Sequence, residues 1–404
     1  MLKLFAPGQR VFVCGSSNEP TALLSHLGQL ALPDNLEFVQ FPIAGLNSTD
    51  FTAWNESACI TSFFMTPTLA KADPARVQFL PMQMRYVYDY LTQNIDVALL
   101  QVARDAQGEL RLGPNVDFVE AALTSANVVI AELNHGLVAP AGCPAINAER
   151  IDYLFESERA LLEMPVPKID ETATIIGRLV ARLIADGDCI QTGIGAIPAA
   201  ILEQLGDKND LGLHSGIIDD GCMRLILKGN INGAFKSIDR RRHVTGGSLC
   251  SRAMHDLLVD RPDVVFRATN YTHELSTIRQ LSNFVSVNSA VEIDLLGQVN
   301  AEYAGGRQIS GTGGSVDFMR AAKVSSGGRS IIAMTATARG GTVSRIVPKV
   351  ELVTALRTDI DIVVTEFGVA RVKHLPLQER ALALIDVAAP QFREELRAAW
   401  HAHA

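Results

Sequence analysis

The chain of 404 residues lacks any apolar run long enough to cross a membrane, although 48% of its residues are hydrophobic. A transmembrane helix needs about 20 consecutive apolar residues. The opening residues also lack the charged start, the long apolar stretch and the small-residue cleavage site of a secretion signal. We therefore expect a cytoplasmic protein whose apolar residues form a large buried core.

Closely spaced cysteine pairs and a net positive charge are also missing. The six cysteines include no C-x-x-C pair, and the nine histidines form no cluster with ligand spacing. This pattern predicts free thiols in a reducing compartment and no metal site. The net charge of -8 argues against nucleic-acid binding, which usually requires a basic face.

What the chain does contain is an alternation of short β-branched runs and amphipathic helical patterns. The runs are apolar throughout, as in parallel strands that are covered on both faces. They comprise residues 11–13, 97–102, 128–131, 331–334 and 362–365. Together with the helical patterns between them, they predict an α/β protein with mostly parallel sheets.

The clearest helical pattern begins at Glu171, and Gly187 is expected to end it. Just before it, Pro165 and Pro167 exclude a helix and indicate a domain boundary. We therefore expect an N-terminal α/β domain of residues 1–164 and a C-terminal α/β domain of residues 170–404.

A weak internal repeat crosses this boundary. Residues 8–27 and 187–205 each contain a glycine, a short strand, a turn of small residues and a proline that opens an apolar helix. Proline is tolerated in a first helical turn because its missing N–H would have no intrahelical partner. The repeat predicts two related open α/β domains with a cleft between them.

Two glycine-rich segments are candidate ligand loops. In "QTGIGAIP", Gly193 and Gly195 would let backbone N–H groups approach an anion at a helix N-terminus. Pro198 stands where a dinucleotide fingerprint needs Gly or Ala, so NAD binding is not expected. The second segment, "QISGTGGSVDFMRAA", spans residues 308–322 and could direct backbone donors at a carbonyl oxygen or a phosphate. A tight turn and a surface loop are the structural alternatives.

Taken together, these segments resemble the acetyl-CoA hydrolase/transferase family, which includes 4-hydroxybutyrate and acetate CoA-transferases. Further motifs that carry the resemblance are "KSIDR", "VNSAVEIDLLGQVNAE", "SRIVPKV" and "DIVVTEFGVARVKHLPLQERALALIDVAAPQF". The resemblance covers nearly all of residues 170–396 and is looser before that. It implies coenzyme A as a cosubstrate, an active site between two α/β domains, and no metal or tightly bound cofactor.

The resemblance also assigns site residues. Those expected to contact CoA or its thioester are Gln191, Gly193, Gly195, Ala290 and Gly313, and Asn288 is expected to donate to the thioester oxygen. The family nucleophile is a glutamate in a segment written H-S-E, and here the segment reads His214-Ser215-Gly216. The carboxylate of the family would attack the acyl-CoA carbonyl and form a covalent intermediate, and glycine cannot do this.

Three interpretations of Gly216 stay open. Another carboxylate could be the nucleophile; Glu19, ahead of Pro20, is the main candidate, and Asp219, Asp220 and Glu56 are others. Gly216 could instead admit water for hydrolysis, or a bulkier acid. Alternatively, the fold binds acyl-CoA without turnover. The leading prediction is a CoA-transferase, assembled as a homo-oligomer, that moves CoA between a short-chain acyl-CoA and a small carboxylate.

Overall fold

Parallel strands and the helices that connect them form the framework of the computed structural model, which describes residues 1–403. The strands are β1 Arg10–Val13, β2 Glu37–Gln40, β3 Cys59–Ser62, β4 Val77–Phe79, β5 Val97–Arg104, β6 Leu110–Leu112, β7 Val128–Val138, β8 Tyr153–Ser157, β9 Cys189–Thr192, β10 Gly212–Leu213, β11 Ile217–Ile218, β12 His243–Thr245, β13 Gly247–Ser248, β14 Val264–Phe266, β15 Phe284–Asn288, β16 Glu292–Asp294, β17 Val299–Asn300, β18 Tyr303–Ala304, β19 Arg307–Gln308, β20 Arg329–Ala333, β21 Thr337–Ala338, β22 Val343–Ser344, β23 Ile346–Val347, β24 Ile362–Thr365 and β25 Gly368–Arg371. The helices are α1 Thr21–Leu27, α2 Met84–Leu91, α3 Val119–Ser125, α4 Glu171–Ala181, α5 Ala196–Glu203, α6 Asp220–Lys228, α7 Arg252–Leu258, α8 Thr269–Thr272, α9 Leu275–Ile278, α10 Ser315–Val324, α11 Leu377–Asp386 and α12 Arg393–His403.

The chain forms two compact units. The first comprises Met1–Pro165, Gly216–Met223 and Arg242–His273, and the second holds the remaining described residues. The linker that contains Pro165 and Pro167 thus coincides with one passage between the units, but the chain passes between them at further points. The domain division at residues 164 and 170 stays a prediction.

The sheet of the first unit has the strand order β4-β3-β2-β1-β5-β7-β8, with β6 paired to β5. All of these pairs are parallel except β5 with β6. The inner strands β1, β5 and β7 supply buried apolar side chains to the core that α1 covers. They owe this position to continuous β-branched sequence, as expected for strands buried on both faces.

The main sheet of the second unit has the order β10-β9-β15-β20-β24-β25. Its pairs are parallel except β24 with β25. In each unit the first strand lies inside the sheet: β1 between β2 and β5, and β9 between β10 and β15. The predicted α/β class with mostly parallel sheets is confirmed, and the inner position of the first strand in each sheet agrees with the internal repeat. The predicted cleft between the domains stays a prediction.

The helix predicted from Glu171 begins there, because Asp170 caps it by accepting a hydrogen bond from the Ala173 N–H. The prediction of its end was wrong. The α-helix stops at Ala181, and the chain then tightens, with the N–H of Leu183 donating to the Val180 carbonyl. Gly187 instead adopts a left-handed φ of 80° just before β9. The other predicted strand positions lie within β1, β5, β7, β20 and β24 or extend one residue past them.

Among the described residues, no helix is both long and apolar enough to cross a membrane. All six cysteines are free, as predicted, and five of them are buried.

Candidate functional site

The carboxyl ends of β9 and β15 are the natural ligand position in the second unit. The chain leaves β9 through α5 towards β10 on one side, whereas β15 lies on the other side. Ligands of open α/β sheets bind outside the carboxyl ends of the strands at such a switch in direction. We call this region the second edge; the corresponding carboxyl ends of β1 and β5 in the first unit are the first edge.

Three buried polar side chains meet across the second edge. Ser286 lies opposite Gln191 in the strand register, and its hydroxyl donates to Gln191 Oε1 at 3.0 Å. The amide of Asn288 donates to Ser286 Oγ at 2.8 Å and to Gln191 Oε1 at 3.3 Å. Two predicted site residues are therefore in direct contact. The Asn288 amide already has two acceptors, so donating to a thioester oxygen requires it to exchange one of them.

The first glycine turn leads from β9 into α5. Gly195 has a φ of 123°, a conformation that residues with side chains rarely adopt. A Cβ added to Gly193 or Gly195 would meet no heavy atom within 4 Å, so space remains above the turn. Among the described residues, none accepts a hydrogen bond from the backbone N–H of Ile194 or Gly195. These donors are available to an anion at the start of α5.

The second glycine loop precedes α10, the crossover helix between the parallel strands β15 and β20. Such a helix runs back against the strands, so α10 begins at their carboxyl ends. Gly313 has a left-handed φ of 57°. No described residue accepts from the backbone N–H groups of Gly311, Thr312 or Gly313. The predicted role of both glycine segments as sources of backbone donors fits this geometry.

Ala290 differs from the other predicted CoA contacts. Its residue is only 8% exposed, and its side chain packs in the apolar core with Ile293 and Val316. A contact between Ala290 and a ligand would therefore involve its backbone.

Gly216 lies in the first unit, directly before β11. Its carbonyl oxygen accepts hydrogen bonds from the backbone N–H groups of Gly246 and Gly247, both at 3.0 Å. A side chain on Gly246 would collide with Asp117 Oδ1 and lie 3.0 Å from the Gly216 carbonyl oxygen. The segment around Gly216 is therefore packed against a carboxyl group that sequence reasoning did not single out.

Asp117 is fully enclosed by protein. Asn115 donates to Oδ2 at 2.9 Å, whereas Oδ1 has no hydrogen-bond partner among the described residues. Burial raises the pKa of Asp117 to about 7, and the hydrogen bond from Asn115 opposes this rise. The local sequence around Asp117 does not reveal this burial.

Glu19 lies at the first edge, after a short helical turn and directly before Pro20, which precedes α1. Its carboxylate accepts a hydrogen bond from Gln40 Nε2 at 2.8 Å, and the whole residue is only 2% exposed. Burial raises the pKa of Glu19, while hydrogen bonds from Gln40 and Asn47 oppose the rise. The carboxyl group is thus held in one position by amide donors.

The other carboxylates are placed less favourably for covalent chemistry. Asp220 accepts from the backbone N–H of Ser251 at 2.7 Å and from its hydroxyl at 2.8 Å. Asp219 accepts from the Cys222 N–H in the first turn of α6. Glu56 is exposed and precedes β3, so it lies at the amino end of that strand, away from the carboxyl edge.

A charged network fills the rest of the first edge. Arg159 Nε donates to the fully buried Glu132 Oε1 at 2.6 Å, and Arg159 also contacts Gln101. Gln101 in turn donates to Asn18 Oδ1. Sequence reasoning missed this network because its members come from distant segments. No group of three or more His, Cys, Asp or Glu residues among residues 1–403 is placed to hold a metal ion.

Comparison with known proteins identifies the family. Residues 1–167 match the acetyl-CoA hydrolase/transferase N-terminal domain, and residues 250–400 match the C-terminal domain. The chain belongs to the acetyl-CoA hydrolase/transferase family.

Individual members of the family support this assignment. The chain is 42% identical over 306 residues to the 4-hydroxybutyrate coenzyme A transferase of Clostridium kluyveri, which covers 75% of this chain and 71% of the relative. The crystal structure of RipA from Yersinia pestis is similar with a TM-score of 0.92 and 32% identity, covering 99% of this chain and 95% of RipA. A 4-hydroxybutyrate CoA-transferase from Porphyromonas gingivalis is similar with a TM-score of 0.82 and 30% identity, covering 100% and 96%. Acetyl-CoA hydrolases are among the more distant relatives.

Proposed function

We propose that this protein is a CoA-transferase that moves CoA between a short-chain acyl-CoA and a small carboxylate of the acetate or 4-hydroxybutyrate type. The observation that carries the proposal is the second edge, where two glycine loops offer unpaired backbone N–H groups and the turn at Gly193 and Gly195 leaves open space. The similarity to several CoA-transferases supports the same activity.

The residues of the second unit are proposed to bind the acyl-CoA. Backbone donors at Gly193, Gly195 and Gly313 would receive its carbonyl or phosphate oxygens. Gln191 would set the position of Asn288 through their shared hydrogen bonds, and Asn288 would donate to the thioester oxygen as negative charge develops there. Ala290 would contribute its backbone. CoA is a cosubstrate in this scheme.

We propose Glu19 as the nucleophile in place of the missing family glutamate. Its carboxylate would attack the thioester carbonyl, the carbon–sulfur bond would break, and CoA would leave as a thiolate. The thiolate would then attack the glutamyl carbonyl of the anhydride and release the donor acid. The acceptor carboxylate would take over the CoA by the reverse steps. The fixed position and raised pKa of Glu19 support this role.

The second candidate is an acyl-CoA hydrolase, and it follows from the lack of a side chain at Gly216 and from the more distant hydrolase relatives. The third is an acyl-CoA-binding protein without turnover. We further propose a cytoplasmic location and a homo-oligomeric assembly. Light scattering of the purified protein would measure the oligomeric state directly.

A CoA-exchange assay separates these functions. The protein is incubated with butyryl-CoA and acetate, or with acetyl-CoA and 4-hydroxybutyrate, and both CoA thioesters and free thiol are followed by chromatography. Appearance of the second thioester without free thiol is the expected result. Free thiol equal to the thioester lost would establish a hydrolase instead. Saturable CoA binding with neither reaction would leave a binding protein, and absence of CoA binding would contradict all three functions.

A further inference from the structure

Glu302 is a buried carboxylate beside the second glycine loop that the proposed reaction does not use. The residue is only 4% exposed and follows β17. Its Oε2 accepts from Gln308 Nε2 at 2.7 Å, and its Oε1 accepts from Thr354 Oγ1 at 2.9 Å and from Thr312 Oγ1 at 3.4 Å. Three uncharged donors therefore surround one buried negative charge.

The backbone of Glu302 contacts the same loop. Its carbonyl oxygen accepts from the N–H of Ile309 at 2.8 Å and from the N–H of Ser310 at 3.3 Å. Gln308 closes the arrangement, because its amide also donates to the Ser310 carbonyl at 3.1 Å. The loop is thus fixed to Glu302 where it begins and again at Thr312, in its middle.

This attachment determines which backbone groups stay free. Thr312 stands between Gly311 and Gly313, and its side chain points its hydroxyl at Glu302. The backbone N–H groups of the three residues have no acceptor among the described residues. Glycines give this segment many accessible conformations, so an anchor on its one central side chain restricts the loop to the conformation in which those donors are presented together.

We propose that Glu302 is a positioning residue that holds the loop of residues 308–314 in the shape that receives the acyl-CoA. The inference rests on the proposed function for the identity of the ligand. Glu302 does not touch the ligand in this scheme. It acts through Thr312 and Gln308, and charge-assisted hydrogen bonds make such anchoring stronger than neutral pairs would.

The chain offers a matched pair of variants for the test. Thr312→Val and Thr354→Val each remove one hydroxyl donor from the same carboxylate oxygen, but only Thr312 belongs to the loop. The bond from Thr354 is the shorter one, so a purely structural role predicts that Thr354→Val lowers the melting temperature at least as much as Thr312→Val. A positioning role predicts that CoA affinity falls more in Thr312→Val than in Thr354→Val, the reverse of the order expected for the melting temperature.

Calorimetric titration with CoA and hydrogen exchange of the ligand-free proteins provide the two measurements. Glu302→Gln should weaken CoA binding at least about tenfold and accelerate exchange in peptides covering residues 308–314. The exposed Glu351→Gln should change neither quantity. A double variant of Glu302→Gln and Thr312→Val should bind CoA about as well as Glu302→Gln alone, because both changes release the same anchor.

Each result decides one of the two proposals. Wild-type protein that does not bind CoA overturns the proposed function and, with it, the ligand assigned to the loop. Wild-type binding that Glu302→Gln and Thr312→Val leave unchanged overturns the positioning role alone. Equal losses of affinity in Thr312→Val and Thr354→Val, with unchanged exchange in the loop, also overturn it.

Discussion

The first and second edges occupy equivalent places in two sheets whose first strand lies inside the sheet, yet their side chains differ. At the first edge, Glu132, Arg159 and Gln101 satisfy one another, and a Cβ on Gly113 would collide with the Asn18 side chain. At the second edge, the three polar side chains that meet between β9 and β15 carry no charge, and Gly193 and Gly195 leave open space. Side chains occupy the switch point of the sheet in the first unit, whereas the sheet in the second unit has open space at its switch point.

The difference suggests a division of roles between the two units. A closed, charged edge can hold a carboxylate such as Glu19 in one position and raise its pKa through burial. An open edge with unpaired backbone donors can receive an anionic ligand. Substitutions that separate turnover from ligand binding therefore test whether the comparison is right.

The largest effect is expected from Glu19→Gln. The variant removes the proposed nucleophile, so CoA exchange should fall about 1,000-fold or more. CoA affinity should change little, because the proposed binding groups belong to the second unit. Chromatographic exchange rates and calorimetric titration measure the two quantities. Gln40→Leu removes one hydrogen-bond donor but leaves the Glu19 carboxylate in place, so it should reduce exchange less. Full exchange in Glu19→Gln would exclude Glu19 as the nucleophile.

Gly313→Val should have the next largest effect, and on binding. A β-branched side chain is strained at a φ of 57° and blocks close approach of the backbone, so CoA affinity should fall at least about tenfold. Gly305→Val is the matched control, because Gly305 has a φ of 60° in the nearby turn between β18 and β19. Titration with CoA compares the two. Equal affinities would remove Gly313 from the ligand site.

Asp117 provides a prediction on stability near Gly216. Its folded pKa of about 7 exceeds the ordinary value of 3.8, so the stability linked to its proton is lost as the pH rises towards and through 7. Asp117→Asn removes this loss, and the variant should gain a few kcal/mol relative to wild type between pH 5 and pH 8. Urea unfolding at the two pH values measures the difference. Replacing the exposed Asp207 with Asn should give no such dependence on pH. A stability difference between Asp117→Asn and wild type that stays the same at both pH values would contradict the raised pKa of Asp117.

The smallest effect is expected from Gly216→Glu. The change places a carboxylate at the family position, so it should restore a low level of exchange to the Glu19→Gln variant. The exchange assay with butyryl-CoA and acetate measures it, and Gly216→Gln is the isosteric control. An inactive double variant would mean that the surroundings of residue 216 no longer support the family reaction.

Much of the scaffold could be predicted from the sequence. The strand segments were found because continuous β-branched sequence is typical of strands buried on both faces. The glycine segments were recognised because glycine lets backbone N–H groups approach a ligand, and in the structure Gly195 and Gly313 have positive φ angles that other residues avoid. The end of α4 was misplaced because the tightened turn after Ala181 has no local sequence signal.

The contacts of the candidate site depend on long-range pairing and could not be predicted in this way. Ser286 was missed because it meets Gln191 only through the register of β9 against β15, almost 100 residues apart. For the same reason, nothing local indicated that Glu302 contacts Thr354. The burial of Asp117 depends on Gly246, which arrives from a distant segment of the chain. Contacts between residues this far apart in the sequence form only when the whole chain has folded.

The most direct test of the account is the intact mass of the protein after incubation with acetyl-CoA, butyryl-CoA and succinyl-CoA, followed by peptide mapping. A carboxylate nucleophile should give a covalent CoA adduct on the peptide that contains Glu19, and Glu19→Gln should give none. An adduct on another residue, or turnover in the absence of any adduct, would contradict the proposed role of Glu19.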